Sequence, residues 1–158
     1  MHLDLDLARQ RLRLLEGARV LREYPVSTGG NGAGEINGSG CTPRGRHKVR
    51  AKIGAGAPAG AVFVGRRQTG EIWTPELHAK FPRRDWILTR ILWLSGLETG
   101  RNRLGCVDTF RRYIYLHGTP HITALGAPGS KGCVRMDNRD IVELFDTIAV
   151  ATEIEIHE

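Results

Sequence analysis

Alternation of apolar and polar residues with period two, at both ends of the chain, is the constraint any fold must satisfy first. Leu3, Leu5 and Leu7 alternate with Asp4 and Asp6, and near the C-terminus Ile154 and Ile156 alternate with Glu153 and Glu155. Successive side chains of a strand point to opposite faces, so each stretch reads as a strand with one buried and one solvated face. Arg11 to Leu14 repeats the pattern, Glu16-Gly17 punctuates it, and Val20 to Val26 resumes it, which predicts a hairpin. Further strands are expected over His47 to Ile53, Ala61 to Val64, Trp86 to Leu94 and Arg112 to His117. Between them, residues 28–45 (TGGNGAGEINGSGCTPRG) read as a long glycine-rich loop. Helical spacing is confined to MDNRDIVELFDTI, where Ile141, Leu144, Phe145 and Ile148 share a face and Asp137 or Asn138 offers an N-cap. With no repeat and no linker, residues 1–158 are expected to form a single mostly-β domain with one prominent helix in the C-terminal half.

Several function classes fall away on composition. The net charge of +6 favours anionic partners, but the arginines (Arg9, Arg22, Arg50, Arg90, Arg111 among them) form no stripe or nucleic-acid motif. No nucleic acid is expected as partner; a carboxylate-rich small substrate explains the same balance. The glycine-rich loop lacks Gly-x-x-x-x-Gly-Lys-Ser/Thr, so phosphate cradling of the nucleotide kind has no mechanism there. The longest apolar stretch, Trp86 to Leu94, is interrupted by Arg90 and is too short to cross a membrane, so no membrane insertion is expected. Acidic residues at positions 4 and 6 stand where a secretory signal carries basic ones, so the expected compartment is the cytoplasm, or the periplasm if a leader has been removed. Three cysteines cannot all pair within one chain, which leaves at least one free thiol.

Chemistry concentrates between Tyr113 and Met136, YIYLHGTPHITALGAPGSKGCVRM. A predicted strand ends in His117-Gly118-Thr119, and Ser130-Lys131-Gly132-Cys133-Val134-Arg135 follows an irregular segment. A thiol nucleophile needs a base within hydrogen-bond reach, and the base needs a group that orients it. The His117 imidazole can take the Cys133 proton, and a thiolate–imidazolium pair would lower the thiol pKa. Gly132 permits close backbone approach, and amides beside Cys133 can meet an oxyanion on the attacked carbonyl.

The pattern resembles the YkuD-like L,D-transpeptidase family, whose signature is a histidine followed about sixteen residues later by Ser/Thr-His-Gly-Cys, an apolar residue and Asn or Arg. Here His117 and Cys133 are 16 positions apart, and Ser130, Gly132, Cys133, Val134 and Arg135 match. STGGNGAGEINGSGCTPRGRH is similar to the family's early S-T-G…T-P-x-G segment, and MDNRDIVELFD to its helix after the cysteine. The resemblance covers nearly the whole chain. It implies a β-sandwich or barrel-like catalytic domain, Cys133 as nucleophile, His117 as general base and the Gly118 carbonyl as its orienter. It implies peptidoglycan stem peptides or muropeptides as substrate, cut before the terminal D-alanine through a thioester, with no cofactor or metal. Water as acceptor gives an L,D-carboxypeptidase for muropeptide recycling, the reading favoured here. An amine acceptor gives periplasmic cross-linking, and a catalytically dead peptidoglycan-binding module is the remaining alternative.

One position departs from the signature: Lys131 stands where the family has histidine. Its ammonium can favour the ionised thiol, or it can point to solvent and alter acceptor preference. Other readings stay open beside these. Arg135 can grip a substrate carboxylate or pair with Asp137 or Asp140, and Ser130 can donate to substrate or to loop backbone. Cys41 and Cys106 read as structural or incidental, and Trp73, Trp86 and Trp93 as core or cleft wall. A zinc set from His117, His121 and Cys133 is disfavoured, because Gly118 and Pro120 oppose the helix that His-x-x-x-His ligation uses.

Overall fold

The computed structural model describes residues 1–158. Its strands are β1 (His2–Asp6), β2 (Arg11–Glu16), β3 (Arg19–Ser27), β4 (Gly45–Ile53), β5 (Ala61–Val64), β6 (Arg67–Ile72), β7 (Ile87–Gly96), β8 (Tyr115–Gly118), β9 (Val134–Met136) and β10 (Glu153–His157). Two helices join them, α1 (Pro75–Lys80) and α2 (Asn138–Thr147). All ten strands share one sheet in the order β4-β10-β1-β2-β3-β9-β8-β7-β5-β6, and β4 also pairs with β7. That extra pairing closes the sheet into a barrel from which the β5–β6 hairpin projects.

The terminal alternation explains the closure. β1 and β10 run parallel in a register that sets Leu3 opposite Ile154 and Leu5 opposite Ile156. All four are buried in a core that also takes Leu12, Leu14, Val49, Leu92, Leu94 and Leu116. Burying a large aliphatic side chain contributes about 1.5–3 kcal/mol, so strands at opposite ends of the sequence are held to one register. Helix α2 adds Ile141, Leu144 and Phe145 to the same core. Asp137 caps it by accepting from the Arg139 and Asp140 amides.

Some elements differ from expectation. β8 begins at Tyr115 rather than at residue 112, because Tyr113 sits at φ +57°, outside the extended region of a regular strand. β6 has no alternation to reveal it and lies almost wholly exposed. α1 and β9 are six and three residues long, too short for a period to register. Arg90, which interrupts the apolar stretch of β7, is buried, and its Nη1 donates to the Ala57 and Thr89 carbonyls, each at 2.7 Å. A register irregularity between Leu88 and Ile91 accommodates it.

Candidate active site

Strand register places the predicted residues. β8 and β9 run parallel with Leu116 opposite Val134, His117 opposite Arg135 and Gly118 opposite Met136. Leu116, Val134 and Met136 face the main core. Side chains alternate across a sheet, so Tyr115, His117 and Arg135 share the opposite face, and Cys133, one step before β9, joins them. Cys133 packs there against a second cluster that includes Phe63, Ile91 and Tyr115. A cavity of about 270 Å³ opens at the thiol, lined among others by Arg66, Asp85, Arg112, Tyr113, Tyr115 and Lys131.

His117 is buried, and its Nδ1 lies 2.7 Å from the Gly118 carbonyl oxygen. A carbonyl only accepts, so Nδ1 carries the proton and Nε2 keeps its lone pair. Burial pushes the His117 imidazole below its ordinary pKa, with the Gly118 carbonyl opposing the shift. Gly118 has no room for a side chain: a Cβ would lie 2.6 Å from the Leu88 carbonyl oxygen and would also strike Asn138.

The thiol differs from expectation. Burial pushes the Cys133 thiol up to about 12, outweighing the Tyr115 N–H that donates to the sulfur at 3.3 Å. The S–H donates to the Tyr113 carbonyl at 3.2 Å rather than to the imidazole. Burial of both groups favours their neutral forms over a resting thiolate–imidazolium pair.

The loop before Cys133 is tied from within. Ser130 Oγ donates to the Cys133 carbonyl and accepts from the Gly132 amide at 3.1 Å, so of its two sequence readings the loop-backbone one holds. Thr42 Oγ1 donates to the Gly132 carbonyl at 2.9 Å. Gly132 itself is at φ +124°, with the Cys41 carbonyl oxygen 2.9 Å from where its Cβ would be. Arg112 reinforces this arrangement from the cavity wall by donating to the Cys41 carbonyl at 2.6 Å. Cys41 thus serves through its backbone, and Cys106 is exposed in a single 3-10 turn, its carbonyl accepting from the Asn37 amide at 2.7 Å.

Arg135 pairs with neither Asp137 nor Asp140. Its Nη2 lies 3.6 Å from Asp85, and its Nη1 donates to the Gly129 carbonyl at 3.1 Å. Asp137 is committed to the cap of α2, whereas Asp85 arrives from the segment before β7 and nothing in its neighbourhood in sequence announces it. Tyr113, Tyr115, Arg66 and Arg112 are further cleft residues that no sequence pattern revealed. Lys131 is exposed at the rim and makes no ion pair or hydrogen bond. His121 does not join His117 and Cys133: it packs edge-on against Trp73 at 5.1 Å. Trp73 and Trp86 are core residues, as expected.

The closed barrel carries His117 on β8 and Cys133 just before its parallel neighbour β9, and sequence comparison gives the domain a family. The family model of the L,D-transpeptidase catalytic domain, YkuD, matches residues 1–156, and the chain belongs to that family. A probable L,D-transpeptidase ErfK/SrfK of Salmonella typhimurium is 30% identical over 95 residues, covering 59% of this chain and 30% of that protein. The putative L,D-transpeptidase YkuD of Bacillus subtilis is 34% identical over 47 residues, 30% of this chain and 29% of its own. The chain thus spans under a third of the length of these curated relatives. Among solved structures, the L,D-transpeptidase of Xylanimonas cellulosilytica (residues 123-326) superposes with a TM-score of 0.59 at 21% identity, covering 98% of this chain and 59% of that one. That of Mycobacterium smegmatis gives 0.57 at 19% identity, over 99% of this chain and 58% of its own. Both show the fold.

Proposed function

We propose that this chain is a cysteine acyl-transfer enzyme of peptidoglycan metabolism that cleaves the L,D bond before the terminal D-alanine of stem tetrapeptides, with water as its main acceptor. The observation that carries this reading is the placement of His117 beside Cys133 on one sheet face, with Nδ1 held by the Gly118 carbonyl and Nε2 left free. Substrate entering the cavity displaces water and brings its carbonyl to the sulfur. The S–H then turns from the Tyr113 carbonyl to Nε2, and the proton moves to the imidazole as the S–C bond forms. Charge develops only in that step, which is why a neutral resting pair suits it. An oxyanion on that carbonyl is met by the Cys133 amide rather than by that of Gly132, whose N–H is already given to Ser130 Oγ. As the C–N bond breaks, His117 returns the proton to the departing D-alanine amine, leaving a thioester on Cys133.

Water then attacks the thioester carbonyl with His117 again as base, and the tripeptide leaves. The hydrolytic preference rests on charge at the rim. Lys131 has no counter-ion, and its exposed ammonium at the rim repels an approaching protonated acceptor amine, an effect that added salt weakens. Arg135, already paired with Asp85, steadies the loop through Gly129 rather than serving as the first grip on a substrate carboxylate. A hydrolytic enzyme of this kind fits muropeptide recycling in the cytoplasm, which cell fractionation tests.

The deciding experiment is incubation with a purified disaccharide-tetrapeptide and mass analysis of the products. Tripeptide and free D-alanine are expected, with little dimer at high acceptor concentration, and Lys131→His should raise exchange with added D-amino acids. Mainly dimeric product from the unmodified protein overturns the hydrolytic branch. No consumption of tetrapeptide overturns the whole reading.

A further inference from the structure

A second cavity, of about 220 Å³, lies outside the cleft where β4, β7 and the connection after β7 meet. Four cations line it: Lys48, Arg50, Arg103 and Arg111. None has a carboxylate within ion-pairing distance, although eleven such pairs occur elsewhere in the fold. The single acid in the wall, Asp108, is buried and gives its two oxygens to the backbone N–H groups of Leu104 at 2.7 Å and Arg111 at 2.9 Å. It shapes the loop and forms no close ion pair with the four cations, although the Arg111 charge helps hold its carboxyl ionised. Ser95, opposite Lys48 in the β4–β7 register, also lines the cavity. It is only 8% exposed, and its hydroxyl makes no hydrogen bond in the fold. Only Trp86 Nε1 and Arg90 Nε are fully buried without a partner, so the Ser95 hydroxyl reaches the cavity and is free to donate to a ligand there.

The walls are rigid in advance of any ligand. Phe110 stacks on Trp93 at 3.9 Å and accepts from the Trp93 indole N–H through its carbonyl. The Arg50 guanidinium lies over the Phe110 ring at 5.2 Å. Asn102, fully buried, ties the connection to the Arg44 and Arg46 carbonyls at 3.1 Å each. The frame that carries the cations is therefore preformed, while the exposed Arg50, Arg103 and Arg111 side chains order on binding.

We infer that this cavity is a binding site for a charge-dense tetrahedral oxyanion of the phosphate class, separate from the acyl-transfer cleft. A carboxylate presents two oxygens in a plane, and one arginine fork satisfies it. Three forks and an ammonium arriving from different segments, with a hydroxyl at the base, match the spread oxygens of a phosphate or diphosphate.

The test is titration of the intact protein with inorganic diphosphate at low salt, followed by calorimetry and by amide NMR shifts. Saturable binding is expected, weaker for monophosphate and falling with added salt, with the largest shifts at Ser95, Gly96 and Arg103. Arg103→Gln with Arg111→Gln should weaken it about tenfold or more, as expected for losing two charge-assisted contacts. Ser95→Ala should weaken it a few-fold, and Arg19→Gln, an exposed arginine elsewhere, not at all. Circular dichroism checks that each variant is folded. An alkyl diphosphate ester that binds as well as the inorganic ion identifies an esterified phosphate as the source, and one that binds much less well identifies the free anion. Absence of saturable binding, or equal loss in Arg19→Gln, overturns the site.

Discussion

Replacing Gly132 by alanine tests how the nucleophile's loop is held, and its cost separates into two parts. The residue sits at φ +124°, where a Cβ adds backbone strain of about 1–2 kcal/mol. The added methyl would also lie 2.9 Å from the Cys41 carbonyl oxygen and 3.2 Å from Ile114 Cδ1. Neither can yield easily: Cys41 O is held by Arg112, and Ile114 belongs to the main core. Overpacking of this kind costs about 1–3 kcal/mol, so Gly132→Ala should lose about 2–5 kcal/mol in all. Gly126 supplies the control, because it has φ +94° with open space around its Cβ position and should show the strain part alone. Urea unfolding gives both numbers, as midpoint shifts at constant slope. Because Gly132 adjoins Cys133, a sub-ångström shift of its backbone should also cut D-alanine release by roughly 10²-fold, while Gly126→Ala keeps activity near wild type. Equal stability of the two variants, or full activity of Gly132→Ala, would refute the argument that contact with Cys41 fixes the loop.

Two further outcomes follow from the buried titratable groups. His47 is fully buried between the Gly45 carbonyl and Thr109 Oγ1, and burial lowers its pKa from 6.5 to about 4. The unfolded chain therefore takes up the proton first, so stability falls as pH drops below 6.5 and levels off near pH 4. The loss is about 3 kcal/mol over that window, and His47→Gln should remove this part of the pH slope in urea midpoints. A thiolate-selective alkylating reagent at neutral pH should label exposed Cys106 well before Cys133, with Cys133 labelling still rising into the alkaline range. Peptide mapping that finds Cys133 labelled first, at a rate that is flat above neutral pH, would show a resting ion pair instead.

What the sequence disclosed depended on whether a local signal existed. Strands with one buried face announce themselves by alternation, so β1, β2 and β10 are legible from Leu3, Leu12 and Ile154 and their neighbours. β9 is not legible, because three residues hold too little pattern, although it is the strand that fixes the register of Cys133 beside His117. The chemistry-bearing types and the sixteen-residue spacing point to His117 and Cys133, which the fold brings to one sheet face, but the spacing carries no information about protonation. The raised thiol pKa comes from burial against Phe63, Ile91 and Tyr115, which only the closed sheet creates. Asp85 is the same kind of miss. Its pairing with Arg135 spans fifty positions and depends on where the segment before β7 crosses the cleft, whereas Asp137 and Asp140 were nearer in sequence and went to the helix.

The central claim is that catalysis passes through a thioester on Cys133. It is tested most directly by mixing the protein with tetrapeptide substrate, quenching with acid during turnover and measuring intact mass. The account predicts an adduct equal to the substrate less D-alanine, mapped to the peptide containing Cys133 and absent from Cys133→Ala, which should release no D-alanine. Steady D-alanine release by Cys133→Ala, or an adduct carried by Cys41 or Cys106, would contradict it.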